Sequence, residues 1–364
     1  MKATTRIYLD AVMQNMKSVF FFTFLGVLIA RLGASDFQIA LSNSLPALFC
    51  ALSLVFLTRQ LPVTRFVFLA SGYVRQFAFL CMALSVLLPN PIPVLLFFWS
   101  INAVSVIVTS AQQPAILRRL IEPRQFPLLF NRNKVIALVI TTSGGLLLGH
   151  ALDATDAFFP YNYVVSMLIG CLSTFTGMTL IAGLAPREKT KIQFRLSMPF
   201  RECDRNIWWM ALNNTGTYMT PALFTIYHVK VMHLSNAQIG YFVVTSGIVS
   251  ALALPLVRRL MERFGTMRVY SVAVLGMIAC VLPYGFIHAY GLLIAAQAWI
   301  GFMFAVSEVS TQTMMMEEAG KHKAEMAYFS DFQLVMQIGM AVGPLVGGLL
   351  LSVMPLWLCF AVIA

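Results

Sequence analysis

Residues 35–57 read SDFQIALSNSLPALFCALSLVFL, a serine and an aspartate followed by an uninterrupted run without any charged side chain. A helix needs about 20 predominantly apolar residues to cross the hydrocarbon core of a bilayer, and this run is that long. Its opening pattern, Ser-Asp-Phe-Gln-Ile, returns 200 positions later as Ser-Asn-Ala-Gln-Ile at residues 235–239. The stretch therefore predicts a membrane-spanning helix that has a counterpart in the second half of the chain.

The composition of the whole chain agrees with lipid as its solvent. Of its 364 residues, 59% are hydrophobic and 11% charged, and the mean hydropathy is +0.80. Soluble domains carry roughly 25% charged residues, so this chain cannot cover its surface with polar side chains. The net charge of +11 does not indicate a nucleic-acid binder, because the basic residues lie in small groups between apolar runs.

Apolar runs separated by turn residues predict eleven complete spans and part of a twelfth. The first run has no small-residue cleavage site and many runs follow it, so it is a span and not a removed signal. The predicted spans lie near residues 12–31, 37–57, 66–88, 92–117, 133–152, 160–184, 207–229, 237–257, 269–288, 291–315, 329–351 and from 354 onward.

The charge of the loops predicts the orientation of these spans. If the N-terminus is cytoplasmic, 21 of the 25 basic residues fall in the N-terminal tail and in the loops that face the cytoplasm. Acids such as Asp36, Asp153 and Asp156 fall on the opposite side. This asymmetry is the positive-inside pattern. We therefore expect a multi-pass protein of a bacterial cytoplasmic (inner) membrane with its N-terminus in the cytoplasm.

An internal repeat divides the chain. A shift of 200 places Arg59 on Arg259 and Trp99 on Trp299, and a shift of 199 places Gly144 on Gly343. One nearly constant offset across different spans predicts two parallel six-helix halves. We expect an N-terminal bundle at 1–184, a basic linker loop at 185–206 and a C-terminal bundle at 207–364. By this offset the twelfth helix would end near 384, so we expect it to be truncated.

The loop between spans eight and nine resembles a motif of the major facilitator superfamily (MFS). Residues 258–268 read RRLMERFGTMR, similar to the family's cytoplasmic signature G-x-L-a-D-R-x-G-R-R. The matching residues are Leu260, Arg263 and Gly265, with Glu262 in place of the aspartate and Arg258 in place of the leading glycine. The two halves and the basic central loop also resemble this family. The resemblance implies an all-α membrane protein with two pseudo-symmetric six-helix bundles. It does not identify a subfamily.

Two features depart from the family pattern. The loop at 58–65, TRQLPVTR, lacks the acid and the glycine of the signature. The glycine-proline run from Gly339 to Gly348 is similar to an antiporter motif, but it lies on span eleven instead of span five. We interpret it as close packing of helices through small residues. Residues Glu262, Arg263 and Gly265 are candidates for a cytoplasmic gate, with plain positive-inside anchoring as the alternative.

The resemblance implies that spans one, four, seven and ten line the translocation path, and polar residues on three of these spans recur at helical spacing. Such stripes are expected to face protein or water because exposure to lipid is unfavourable. The alternative is ordinary hydrogen bonding between helices. The candidate path residues are Asn102, Ser105, Thr109 and Gln112 on span four, Asn214 and Tyr218 on span seven, Gln297, Glu308 and Gln312 on span ten, and Gln337 on span eleven.

Two charged residues lie near the middle of apolar runs. Glu308 is the candidate for proton coupling or for binding a cationic group, since a carboxylate at this depth must be paired, hydrated or protonated. The alternatives are a neutral, hydrogen-bonded packing residue and a local water pocket at the cytoplasmic vestibule. Arg75 on span three is a possible charged partner for an anionic substrate, with a structural pair or the carbonyls of a neighbouring helix as equal alternatives. Lys17 is expected to snorkel, and Arg31 and Lys230 are expected to be interfacial anchors.

The sequence holds no motif for an enzyme, a metal site or a cofactor. Its glycine-rich stretches contain no G-x-x-x-x-G-K-[ST], so no ATP-binding loop is present. The five histidines have no ligand spacing, and the six cysteines show neither metal spacing nor an extracellular pair. We expect no enzyme activity, no metal and no cofactor.

Two functions remain open at this stage. The first is a secondary transporter of a small solute that works by alternating access around a midplane site, driven by a proton or solute gradient. The second is a non-transporting membrane protein of the same fold, acting as a receptor, lipid-handling or assembly factor. The polar stripes and the loop motif favour transport. We expect a monomer whose partners are a small-molecule substrate, the lipid bilayer and protons if transport is coupled to them, and no nucleic acid.

Overall fold

The structure, a computed structural model, describes residues 3–56, 64–118, 126–184, 200, 205–319 and 325–363. Over these residues the helices are joined by short turns, and no strand is formed. The helices are α1 Ala3–Lys17, α2 Leu25–Arg31, α3 Asp36–Phe56, α4 Arg65–Ser85, α5 Pro91–Arg118, α6 Phe126–Ala154, α7 Tyr161–Ala182, α8 Arg205–Ile226, α9 Asn236–Phe264, α10 Thr266–Tyr284, α11 Tyr290–Ala319, α12 Glu325–Val353 and α13 Leu356–Ile363.

These helices confirm the predicted spans and their order. The first span comprises α1, a π-helical turn at Ser18–Phe22 and α2, and the later spans correspond to α3 onward. The first helix starts at Ala3, earlier than the predicted residue 12, because no proline or glycine interrupts the polar turns before it. Among the described residues, ten helices are long and apolar enough to cross a membrane. Helix α8, with 22 residues, is also long enough to cross a membrane, but polar residues run along it.

The starts of α3 and α9 carry the same hydrogen-bonded cap. The Ser35 amide donates to Gln38 Oε1 at 2.9 Å, and the Gln38 amide donates to Ser35 Oγ at 3.2 Å. Ser235 and Gln238 form the same two bonds at the same distances, 2.9 and 3.2 Å. This reciprocal capping box satisfies backbone donors that the first turn leaves unpaired. The repeat seen in the sequence therefore extends to the local geometry at the starts of α3 and α9.

A single glycine makes the corner between α9 and α10. Helix α9 continues through Arg258 to Phe264, seven residues beyond the predicted end of the span, and Gly265 ends it with φ +84°. This conformation favours glycine because it has no Cβ. Residue Gly265 of the loop motif thus has a structural reason for its identity.

The described residues pack as two compact units. The N-terminal unit contains Met1–Gly33 and Leu45–Ser197, and the C-terminal unit contains Ala34–Ser44 and Met198–Ala364. Residues 34–44, at the start of α3, therefore belong with the second unit, whereas the predicted N-terminal bundle included them. The predicted boundaries at 184 and 206 fall in or beside a stretch that lies mostly outside the described residues, and they stay a prediction.

Each unit has a buried apolar core. In the N-terminal unit a core cluster joins α1, α4, α5 and α7, and in the C-terminal unit one cluster joins α8 to α12 and another joins α9, α10 and α11. The buried residues of these clusters are Ile7, Phe68, Ile116, Met178, Ile181 and Ala182; Ile207, Met210, Ala211, Tyr328, Phe332, Val335 and Met336; and Ala253, Val257, Val269, Ala273, Met303, Ala305 and Val306.

The glycines of α12 bring this helix close to α8. A Cβ on Gly343 would lie 2.5 Å from the Thr215 carbonyl oxygen, and a Cβ on Gly339 would lie 2.9 Å from Thr215 Oγ1. In the N-terminal unit, a Cβ on the equivalent Gly144 would lie 3.0 Å from Val19. The geometry supports our interpretation of the glycine run as a close helix contact.

Candidate functional site

The N-terminal unit contains a cavity of about 250 Å³ among its membrane-spanning helices. Helices α1, α4, α5 and α7 form its walls. The described lining residues are Asp10, Gln14, Lys17, Phe68, Arg75, Val106, Thr109, Met178 and Ile181. Three of them are charged, although an interior of apolar helices normally excludes charge. This cavity is therefore the strongest candidate site in the described part of the N-terminal unit.

A line of hydrogen bonds follows one face of α1 along the cavity wall. Lys17 Nζ donates to Gln14 Oε1 at 2.9 Å, and Gln14 Nε2 donates to Asp10 Oδ1 at 3.1 Å. The spacings of three and four residues place these side chains on one stripe. Helix α7 makes room for them with Gly177, whose Cβ would lie 2.8 Å from Asp10 Oδ1.

Arg75 faces the same cavity from α4. The side chain is 5% exposed, and its Nη1 donates to Thr109 Oγ1 at 3.5 Å, the upper limit for a hydrogen bond. Its Nε has no hydrogen-bond partner among the described residues. Arg75 interacts electrostatically with both Asp10 and Lys17. The possible charged partner predicted on span three is thus buried and faces inward.

The structure places the polar stripe of span four on the buried side of α5. Asn102, Ser105 and Thr109 are all buried, and Thr109 lines the cavity. The Asn102 Oδ1 accepts no hydrogen bond from the described residues. Ser105 donates to the Ile101 carbonyl at 3.1 Å, which satisfies its hydroxyl on its own helix. The side chain of Gln112 lies outside the described ones.

Helix α8 brings Tyr218 close to Glu308 of α11 in the C-terminal unit. The two groups interact electrostatically, and Gln312 Nε2 donates to Glu308 Oε1 at 3.3 Å. The side chains of Glu308 and Gln312 are exposed, and Tyr218 is half-buried. The structure thus brings together three of the predicted path residues of this unit.

The remaining path candidates make other contacts. Asn214 is half-buried, and its amide donates to the Met210 carbonyl at 2.9 Å and contacts Met336 Sδ at 3.2 Å. Gln337 is half-buried on α12. Gln297 is buried, and its amide donates to Tyr284 Oη at 2.7 Å.

An aromatic cluster surrounds the Tyr284 hydroxyl. His228 Nε2 lies 2.8 Å from Tyr284 Oη, and Phe224 and Phe360 pack on the Tyr284 ring at centroid distances of 4.5 and 5.6 Å. Buried polar atoms need such partners. These contacts favour a structural hydrogen bond for Gln297, which was the alternative to a place on the path.

The loop motif lies on the surface at the end of α9. Arg258 Nε donates to Glu262 Oε1 at 2.8 Å, and both side chains are mostly exposed. The Arg263 guanidinium lies 5.2 Å from the centre of the Phe264 ring. An ion pair such as Arg258–Glu262, with partners four residues apart on an exposed helix, contributes about 0.3–0.5 kcal/mol to stability. Both contacts are local to α9, so the gate role of this loop stays a prediction.

Ion pairs hold the two residues that the sequence identified as anchors. Arg31 Nη1 lies 3.0 Å from Asp156 Oδ1 in the N-terminal unit. Lys230 Nζ lies 2.7 Å from Asp36 Oδ1 and donates to the Ala34 carbonyl at 2.6 Å in the C-terminal unit. Both Arg31 and Lys230 lie at helix ends, as predicted. Their ion-pair partners were not predicted from the sequence.

Sequence reasoning missed Asp10 and Gln14. Our predicted first span began at residue 12, which left Asp10 in the tail and made Lys17 a snorkelling residue. The signal that could have identified them is the spacing of Asp10, Gln14 and Lys17, which places all three on one helical face. Within the described residues, no group of three or more His, Cys, Asp or Glu side chains could hold a metal ion.

Comparisons with known proteins agree with this architecture. A sequence model of the Major Facilitator Superfamily matches residues 11–344. No curated protein sequence matches the chain.

Solved structures share the fold at low sequence identity. The nucleoside transporter NupG has a TM-score of 0.67 at 11% identity, with 100% of this chain and 96% of that chain covered. The human organic anion transporter MFSD10 (TETRAN) has a TM-score of 0.65 at 14% identity, with 99% of this chain and 96% of that chain covered. A POT family transporter in complex with 5-aminolevulinic acid has a TM-score of 0.73 at 8% identity, with 99% of this chain and 92% of that chain covered. Because the family model spans most of the sequence and the fold agrees, this chain belongs to the Major Facilitator Superfamily.

Proposed function

We propose that this chain is a secondary transporter that moves a small solute across a bacterial cytoplasmic membrane by alternating access. The observation that carries the proposal is the cavity of the N-terminal unit, with Asp10, Lys17 and Arg75 inside a bundle of membrane-spanning helices. Charged groups at such a depth are unfavourable, and those that occur inside membrane-spanning bundles commonly mark the path of a substrate or an ion. A receptor or assembly factor of the same fold could have an apolar, closed centre.

The similar structures support transport and leave the solute open. They are a nucleoside transporter, an organic anion transporter and a POT family transporter in complex with 5-aminolevulinic acid. These solutes differ in charge and in shape, and a shared fold does not carry a shared substrate. The side chains of this chain must therefore indicate which solute it takes.

Glu308 is our candidate for coupling transport to protons. Its carboxylate is exposed, accepts a hydrogen bond from Gln312 and lies near the Tyr218 phenol, all within the C-terminal unit. A carboxylate with polar neighbours inside a membrane-spanning helix can take up and release a proton as its surroundings change. In this proposal protonation of Glu308 accompanies solute movement.

Flux into proteoliposomes tests both parts of the proposal. Purified protein is reconstituted, and the uptake and efflux of a panel of small solutes are measured with and without an imposed pH gradient. We expect at least one solute to move faster than in empty liposomes and to accumulate when the gradient is present. Flux equal to that of empty liposomes for every solute would reject transport.

The coupling role has its own variant and control. Glu308→Gln keeps the shape of the side chain and removes its charge, so accumulation driven by the pH gradient should be lost while exchange of solute persists. Glu317→Gln removes an exposed carboxylate from the same helix and should behave like the wild type. Gradient-driven accumulation by Glu308→Gln at the wild-type level would exclude Glu308 as the coupling residue.

A further inference from the structure

The described lining of the cavity in the N-terminal unit carries an excess of positive charge. Among its described lining residues, Lys17 and Arg75 are cationic and Asp10 is the one acid, so the formal charge of the lining is +1. The Asp10 carboxylate already accepts a hydrogen bond from Gln14 at 3.1 Å. One carboxylate cannot neutralise two cations, and an unbalanced charge is unfavourable among apolar helices.

The Arg75 guanidinium has donors to spare. It carries five N–H groups in a planar fork, and its one hydrogen bond among the described residues is the 3.5 Å contact with Thr109. Its Nε has no partner there, although the side chain is almost fully buried. A buried donor without a partner is unfavourable, so a bound acceptor would stabilise this site.

The shape of the guanidinium indicates which acceptor fits. Two parallel N–H groups match the two oxygens of a carboxylate or of a phosphate, and such charge-assisted pairs are stronger than neutral hydrogen bonds. The Lys17 ammonium, which Gln14 holds at the same cavity, adds a second positive charge. A cationic group would instead meet two like charges.

The size of the cavity sets a limit on the bound group. About 250 Å³ is less than the roughly 300–1,000 Å³ of pockets that enclose drug-sized ligands. The cavity accommodates a small acid or the anionic head of a longer solute. Apolar atoms of Phe68, Met178 and Ile181 complete the wall, and apolar surroundings strengthen the interaction of the two cations with an anion.

We propose that this cavity binds a carboxylate or phosphate group of the transported solute, with Arg75 as its principal ligand and Lys17 as the second cation. The proposal rests on the proposed transport function and names the class of solute. It assigns Asp10 and Gln14 the task of holding Lys17 in place along α1.

Matched pairs of solutes test the charge requirement in the wild-type protein. Lactate is compared with lactamide, succinate with succinamide and glycerol phosphate with glycerol, both as solutes for flux and as ligands that raise the thermal stability of the purified protein. We expect stabilisation and flux from at least one of the anions, and an at least tenfold higher half-saturating concentration for its neutral counterpart.

Variants then test the assignment to this cavity. Arg75→Gln should raise the half-saturating concentration of that anion at least tenfold, and Arg75→Lys should recover part of the loss because it keeps the charge without the fork. Lys17→Gln should show a smaller increase. Asp10→Asn keeps an oxygen that can accept the Gln14 hydrogen bond and removes the competing negative charge, so it should lower the half-saturating concentration of that anion.

The outcomes separate this inference from the proposed function. Flux of neutral or cationic solutes with no preference for anions would overturn the inference and keep transport, and so would anion binding that Arg75→Gln leaves unchanged. Absence of flux for all solutes would reject transport itself. If Arg75→Gln does not fold, each anion is still compared with its neutral counterpart in the wild type and in Lys17→Gln. Equal half-saturating concentrations for anion and neutral counterpart in the wild type, or an unchanged value for the anion in Lys17→Gln, would overturn the inference.

Discussion

Replacing Gly343 by alanine tests the close contact between α8 and α12. The added Cβ would lie 2.5 Å from the Thr215 carbonyl oxygen, whereas a close C–H···O contact has a C···O distance of about 3.3 Å. The atom in the way belongs to the backbone, so no side-chain rotation relieves the overlap, and the helices must separate by about 0.8 Å. Overpacking of this kind costs about 1–3 kcal/mol, of which the better helix propensity of alanine offsets about 1 kcal/mol.

Gly347 supplies the matched control one turn along the same helix. A Cβ there would lie 3.5 Å from Met219 Cβ, an ordinary van der Waals contact. Gly347→Ala should therefore keep or slightly raise the free energy of unfolding, by up to about 1 kcal/mol. We expect Gly343→Ala to lower the free energy of unfolding by about 1–2 kcal/mol. This value takes an overpacking cost of about 2–3 kcal/mol and subtracts the helix-propensity gain of about 1 kcal/mol.

The assay is reversible unfolding of the purified protein in mixed micelles with increasing dodecyl sulfate, followed by circular dichroism. Both variants and the wild type are compared at one lipid and detergent composition, so that the difference reports the packing of α12 alone. A Gly343→Ala protein as stable as Gly347→Ala would refute the close approach of the two helices.

Three further predictions concern single contacts. Ser35→Ala and Ser235→Ala each remove one capping box, and each should lower the free energy of unfolding by about 1 kcal/mol in the same assay; no change in either would contradict the shared cap. A double-mutant cycle with Asp36→Asn and Lys230→Met should give a coupling energy of about 0.5–1 kcal/mol that falls as salt is added, because the pair is partly exposed; zero coupling at low salt would dismiss this pair. Tyr284→Phe should cost about 1–3 kcal/mol, since it leaves a buried amide N–H without its acceptor; a neutral effect in calorimetry would show that the cluster adapts.

The sequence was sufficient for the membrane-spanning architecture. Length and apolarity predicted the spans within a few residues at most edges, because lipid forces each span to satisfy its backbone hydrogen bonds within one helix. The repeat of Ser35 and Gln38 at Ser235 and Gln238 predicted equivalent helix starts, and the two capping boxes confirm it. Features set by local chemistry were thus within reach.

The contents of the candidate site were less accessible from the sequence. Arg75 was identified as an unusual charge, but its neighbours come from α1 and α5, and which helices meet at a given depth is decided by packing over the whole unit. Asp10 was not identified, because the predicted first span began at residue 12 and did not include it. Polar spacing also cannot separate a path residue from a structural one, which is why Gln297 was placed with Glu308 although the first is buried against Tyr284.

Solute counterflow tests the central claim most directly. Liposomes that contain the purified protein are loaded with an unlabelled solute, diluted into a trace of the labelled solute, and followed over time with no ion gradient present. A carrier that exposes its site to one side at a time should accumulate the label transiently above its outside concentration, and this overshoot should vanish when the internal solute is left out. Labelled solute that never rises above the level of protein-free liposomes, for every member of the anionic and neutral panel, would contradict the account.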